Sequence, residues 1–272
     1  MARACIFCEK EGNLSKEHLW PSWLSKMYVR KGDEKHTFGS QSYMNKTIVN
    51  DGVYERPGHL FSLKNRVVCC SCNNGWMSEV EEETKAILLK MLNGQKFKIS
   101  NEELRIFSFW VAMKIVTAEF AEKKESLNVT PLNERRLMME ERKIPSFFNI
   151  FLGVHSTGHN SAWLRHSSTM SFSPSGPTPP LEGRQRNAQS ISFMIGPIFI
   201  YVLNVRLLGF VPEQHFKFGK IKRIWPSKMN FLKWPQKPLK KIETNVLAYM
   251  IQDLTESENT IHIPKMPNEP DV

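Results

Sequence analysis

The sequence predicts an α+β protein of two parts, and three observations carry that expectation. All five cysteines fall within the first 72 residues, and four of them form two Cys-x-x-Cys pairs. Residues 101–123 make an apolar helical run introduced by a capping pattern. After Pro145 the texture changes to short β-branched and aromatic runs separated by turn residues. The first part, residues 1–95, holds the cysteines, and the second, residues 96–272, joins helices to antiparallel strands.

Taken in order, Cys5 to Gly12 reads as a short hairpin or knuckle. Glu17 to Tyr28 reads as a short helix with Pro21 in its first turn. Residues 30–63 are polar and scattered with Gly, Asn, Ser and Thr, a long loop or weak hairpin inserted before Val67 and Val68, which lead as a strand into Cys69. From Ser78 to Asn93 the apolar positions Val80, Ala86, Ile87, Leu88, Met91 and Leu92 predict a helix ending near Gly94. Its first turns carry Glu79, Glu81, Glu82 and Glu83, where the helix dipole favours negative charge.

The helix from Asn101 to Lys123 is apolar on most faces, with Leu104, Phe107, Trp110, Val111, Ile115 and Phe120, and Ser100 followed by Glu103 matches a capping box. A further helix is predicted over Leu132–Arg142. The expected strands are Phe147–Val154, Ser161–His166, Ile191–Ile195 and Ile198–Val205. Ser171–Asn187 reads as a mobile loop and the residues from Pro264 as a tail.

Charge and hydropathy narrow the function classes. Of 272 residues 41% are hydrophobic and 24% charged, which excludes a wholly disordered chain. Thirty-seven Lys and Arg against 27 Asp and Glu leave a net charge of +10, which favours a polyanionic partner such as nucleic acid. Residues 191–211 are long and apolar enough to span a bilayer. Gly196, Pro197, Asn204, Arg206 and Gly209 interrupt them, so two buried strands around a Gly196-Pro197 turn are expected instead. With no signal-peptide pattern at the start, the expectation is a soluble cytoplasmic protein without membrane contact.

The cysteines carry the clearest chemistry. A Cys-x-x-Cys knuckle lets two thiolates meet one ion, and two knuckles complete a tetrahedron around Zn²⁺. Cys5, Cys8, Cys69 and Cys72 are the expected ligands, with a redox role for the pairs as the alternative. Sixty residues separate Cys8 from Cys69, so folding must join the pairs. Cys70 is expected to point away as a small buried side chain. Four thiolates leave no open coordination position, which makes this zinc structural.

Chemistry-bearing residues flank both pairs. Glu17-His18 follows Cys8 and leads into Leu-Trp-Pro-Ser-Trp-Leu, while Asn73-Asn74-Gly75-Trp76 abuts Cys72. This pattern resembles the HNH endonucleases, the ββα-metal finger family, in the version pinned by two Cys-x-x-Cys pairs. It is also similar to bacterial and phage HNH-type proteins with EHxxPxWL and CNNGWM elements, and the Trp225-Pro226 and Trp234-Pro235 strings fit that group. The motif similarity covers residues 5–90.

The resemblance implies a ββα finger and a role for each position. His18 matches the general base that deprotonates water for attack on a phosphodiester, a task suited to an imidazole at neutral pH. Glu17 matches the acidic ligand of a catalytic Mg²⁺ or Mn²⁺, a position more often held by Asp. Asn73 matches the last metal-binding position, and Asn65 the middle residue that braces the segment carrying His18. Asn74 and Glu79 are lesser ligand candidates. The implied activity is phosphodiester hydrolysis in nucleic acid, DNA preferred; the competing class is a non-catalytic zinc module that binds nucleic acid or protein. Trp20, Trp23 and Trp76 are expected to form the small core under the finger.

Two other regions offer candidates. Between Gln214 and Ile242 there are nine Lys and Arg and no acid, interleaved with Phe216, Phe218, Trp225, Phe231 and Trp234. Lys217, Lys220, Lys222, Arg223, Lys228 and Lys233 are the expected phosphate contacts, with the aromatics either packed inward or stacking bases. Arg184 and Arg186 are weaker ones. His155, His159 and His166 read as turn or surface residues rather than a second metal site. The second part is expected to position substrate or to contact a protein partner or a second copy.

Overall fold

A computed structural model describes residues 4–28, 35–44, 47–58, 61–120, 128–156, 161–168, 186–206, 210–215 and 217–240. The chain is mixed α+β with antiparallel sheets, and it divides into two compact units, Met1–Glu81 and Glu82–Val272.

In the first unit the knuckle Cys5–Cys8 is closed by Glu9, which takes a left-handed φ of 57° and donates its amide to the Cys5 carbonyl at 2.9 Å. The chain then enters β1 (Leu14–His18), passes through a short helix α1 (Leu24–Met27) and forms a hairpin of β2 (Lys35–Met44) and β3 (Thr47–Pro57). β4 (Lys64–Cys69) returns to pair antiparallel with β1, so the β2–β3 hairpin is an insertion between two paired strands. The helix expected from Glu17 is therefore corrected. Glu17 and His18 complete a strand, and helical structure begins only at Leu24, three residues past Pro21. Trp20 is buried beside Phe61 with ring centroids 6.3 Å apart, as expected for a small core.

After β4 comes a single turn, α2 (Cys70–Cys72), then a π-helical turn over Asn73–Met77, then α3 (Ser78–Leu92). Gly75 leaves helical geometry at φ −95°, ψ −117°, which marks the kink between the two helical segments. Such π turns recur at functional sites because they displace one residue from the regular helical stack.

In the second unit α3 continues with Thr84, Ile87, Leu88 and Met91 buried along one stripe. β5 (Phe97–Ser100) leads into α4 (Asn101–Glu119), whose capping box is present as expected: the Ser100 hydroxyl accepts from the Glu103 amide, and the Glu103 carboxylate accepts from the Ser100 amide at 2.8 Å. Every residue of α4 from Phe107 to Glu119 is buried, the burial expected of a helix apolar on all sides. α5 (Leu132–Glu141) ends at Arg142, in the left-handed conformation.

Four strands follow the expected runs closely, β6 (Phe148–Val154), β7 (Ser161–Ser168), β8 (Ala188–Ile195) and β9 (Ile198–Val205), and after the short helix α6 (Pro212–His215) a fifth that was not expected, β10 (Lys222–Trp225), joins the same antiparallel sheet. Their order is β10-β6-β9-β8-β7. Gly196, at φ 52°, takes the first place of the two-residue β8–β9 turn, where positive φ matches the strand twist. Residues 191–195 and 198–205 are thus sheet strands joined by a turn, and among the described residues no helix is long and apolar enough to cross a membrane.

One face of this sheet gathers Phe151, Phe199, Tyr201 and Leu203 under Phe218, Ile221 and Leu239, with Phe151 and Phe218 stacked at 3.9 Å. A side chain at Gly153 would force Ile221 to shift, since a Cβ would lie 2.6 Å from Ile221 Cγ2. The last strand, β11 (Phe231–Trp234), pairs with β5, and α4 contacts β5, β6, β10 and β11. The Ser171–Asn187 loop, save its last two residues, and the tail from Pro264 lie outside the described residues.

Candidate metal centre

The knuckles meet because β1 and β4 pair in a register that sets Leu14 opposite Cys69. The Ile6 amide donates to the Val67 carbonyl at 3.0 Å, tying the first knuckle to the strand that carries the second. The sulfurs of Cys5, Cys8, Cys69 and Cys72 then lie within 4.8 Å of one another, and Cys8 and Cys69 Sγ are 3.5 Å apart. A tetrahedral ion with sulfur ligands at about 2.3 Å needs sulfur–sulfur edges of about 3.8 Å, so the quartet fits one metal ion and is consistent with zinc. Among the described residues it is the one such cluster of His, Cys, Asp and Glu.

Electrostatics fit a cation as well. Cys5 is held down to about 4, chiefly by the hydrogen bond from Cys72 and further by backbone amides, against the opposing effect of burial. Burial pushes Cys8 up, and the hydrogen bond to Cys5 pushes Cys72 up. The lowered Cys5 suits a thiolate ligand, and an ion entering beside Cys8 and Cys72 would displace their protons. The Cys72 amide donates to Cys69 Sγ at 3.4 Å.

Cys70 stands apart from the quartet, as expected, but is exposed rather than buried. Its place at the start of the α2 turn, next to the Cys69 cap, directs it outward. Phe7, fully buried between the first two cysteines, meets Trp76 at 4.9 Å and 90°, so an aromatic contact clamps the first knuckle to the turn after the second.

The remaining candidates are distributed around this centre. Glu17 is buried and lies directly opposite Asn65 in the β1–β4 register, while His18, half-buried, ends the strand opposite Lys64. Asn65 carries a buried Nδ2 without a hydrogen-bond partner among the described residues. Asn73 is half-buried and opens the π turn, its amide donating to the Cys70 carbonyl. Leu14, opposite Cys69, precedes His18 by four residues, about 13 Å of extended strand. Cys69, four residues before Asn73, thus sits at the other end of the β1–β4 pair from His18.

In the second unit Lys217, Lys222, Lys228 and Lys233 are exposed. Lys220 is half-buried, with Nζ 3.4 Å from the Pro238 carbonyl. Arg223 binds Glu213 at 3.0 Å in a cleft of about 700 Å³ that Pro226, Ser227 and Lys228 complete. Phe218 and Trp234 point inward, which is the packing alternative for the aromatics, whereas Phe231 is exposed. His155 is buried and bonds through Nε2 to the Gly196 carbonyl, a turn-bracing role. Phe216, His159 and Arg184 lie outside the described residues, as does the side chain of His166.

Sequence reasoning missed that Phe97–Ser100 is a strand, although Phe97-Lys98-Ile99-Ser100 alternates apolar and polar. The strand is only four residues long and runs straight into the capping box of α4, so its alternation is a weak local signal. The chain matches no family model, no curated protein and no solved structure.

Proposed function

We propose that the chain is a metal-dependent endonuclease of the HNH type that hydrolyses phosphodiester bonds, in DNA by preference, on a finger stabilised by zinc at Cys5, Cys8, Cys69 and Cys72. One observation supports this most. The strand ending in Glu17-His18 pairs with the strand running from Asn65 into Cys69, and Asn73 follows in the helical turn beyond Cys72. A strand, a strand and a helix in that order are what a ββα finger would need.

In this reading His18 takes a proton from water as the oxygen attacks phosphorus. The bond from phosphorus to the 3′ oxygen breaks, and the leaving oxygen acquires a proton. Glu17 and Asn73 offer hard oxygen donors of the kind Mg²⁺ or Mn²⁺ prefers, and such an ion supplies charge neutralisation at the phosphate. Asn65, across from Glu17, positions the strand that presents the base.

Purified chain with Mg²⁺ or Mn²⁺ is expected to nick supercoiled plasmid, and His18→Ala to abolish nicking with zinc content unchanged. If the parent binds DNA but does not cut, the chain is a zinc-containing binding module. A crystal structure with Mn²⁺ in which Glu17 and Asn73 do not share an ion removes their assignment.

A further inference from the structure

The β5–β11 pair is a two-stranded ribbon with unlike faces. Ile99, Leu232 and Trp234 are buried on the inner side, while Lys98, Ser100, Phe231 and Lys233 are exposed on the outer. The register sets Lys98 directly opposite Lys233. Like charges in that position repel, so the ribbon carries a local electrostatic cost that an anion would relieve. Lys98 Nζ lies 4.7 Å from the centroid of the Phe231 ring, yet Phe231 stays 43% exposed. Lys96, Lys228 and Lys237, also exposed, flank the same ribbon.

The next acids along the chain are engaged elsewhere, Glu103 in the helix cap and Glu102 with Arg105 at 2.6 Å. Arg223, by contrast, already has Glu213 as its counter-ion. The ribbon is also held in place before any ligand arrives. The Asn101 amide and side chain donate to the Asn230 and Met229 carbonyls at 3.0 and 2.7 Å, and Trp234 Nε1 donates to the Met91 carbonyl.

We propose that the outer face of this ribbon binds single-stranded nucleic acid, with Lys98 and Lys233 on phosphates and an unpaired base stacked on Phe231. Lysines neutralise any phosphate, but an exposed ring flanked by them is useful chiefly to a base whose face is free. A paired base hides both faces in the duplex stack. This deepens the nuclease reading by naming how the second unit holds the strand.

The test is fluorescence anisotropy on the full-length chain carrying His18→Ala, without added divalent cation, using a labelled 20-nucleotide single strand and the corresponding duplex. Lys98→Ala with Lys233→Ala is expected to make the dependence of log affinity on log salt shallower by about 1.4 for the single strand. Phe231→Ala and Phe231→Leu should each weaken single-strand binding on the order of tenfold, and Phe231→Trp should retain it. Leucine keeps the apolar cover without a ring face, which separates stacking from a structural role.

Parental binding by the lysine or Phe231→Leu variants overturns the proposal, as does an equal loss on duplex. Because cutting is not measured, a chain that nicks plasmid but ignores these substitutions leaves the nuclease reading standing alone. A chain that never nicks but loses single-strand binding does the reverse.

Discussion

Phe7 and Trp76 meet at right angles with ring centroids 4.9 Å apart, and through that contact the first cysteine knuckle rests on the π turn that follows the second. Phe7 is fully buried. Replacing it with alanine removes the contact and opens a cavity, an expected loss of about 3–5 kcal/mol in denaturant unfolding of the zinc-loaded chain. The four sulfurs remain in Phe7→Ala, yet zinc is expected to pass to a competing chelator faster than from the parent. A parental unfolding midpoint together with a parental transfer rate would show that the strands alone hold the knuckles together.

The thiolate quartet makes a stoichiometric prediction with a pH sign. One zinc per chain is expected from a chromogenic chelator after thiol modification. Serine at Cys5, Cys8, Cys69 or Cys72 should lose that zinc, while Cys70→Ser should keep it, since Cys70 lies outside the cluster. Cys8 and Cys72 are held above the ordinary thiol value, so at neutral pH their protons must leave when the ion enters. Metal binding therefore releases protons, and zinc affinity should rise with pH and fall on acidification. A pH-independent affinity would show that the ligands are already deprotonated.

How far the fold was legible follows from which forces are local. The capping box at Ser100 and Glu103, the turn at Gly196-Pro197 and the apolar runs of β6, β8 and β9 are encoded within a few residues, and the structure bears each of them out. The cysteine quartet was legible for another reason: the spacing of two knuckles admits few uses besides a shared ion. β1 was not, because Pro21 suits a helix start and the partner of Glu17 is Asn65, 48 positions away across an insertion. Local propensity cannot weigh a pairing that distant. Cys70 was misjudged for the same reason, since its exposure depends on which way the α2 turn faces.

Glu119, the last residue of α4, shows how the second unit fastens that helix to its surroundings. Its side chain is fully buried without a cation in the described contacts, and four donors converge on it. Oε2 accepts the amides of Val129 and Thr130 at 3.0 and 2.9 Å, and Oε1 accepts the Thr130 hydroxyl at 2.7 Å and the Gln189 amide of β8. A carboxylate has lone pairs for all four and no hydrogen to place against them, which is why the acid is tolerated at full burial. Glu119→Gln puts an NH₂ where two donors already point, with an expected loss of about 1–3 kcal/mol. Glu119→Ala strands buried amides and leaves a void besides, so it should cost more. The Glu119→Gln loss should shrink when Gln189 is also replaced by alanine, because one of the opposed donors is then gone. Denaturant midpoints for the two single variants and the double variant decide it. Strict additivity of the two losses would show that the carboxylate and Gln189 are not coupled.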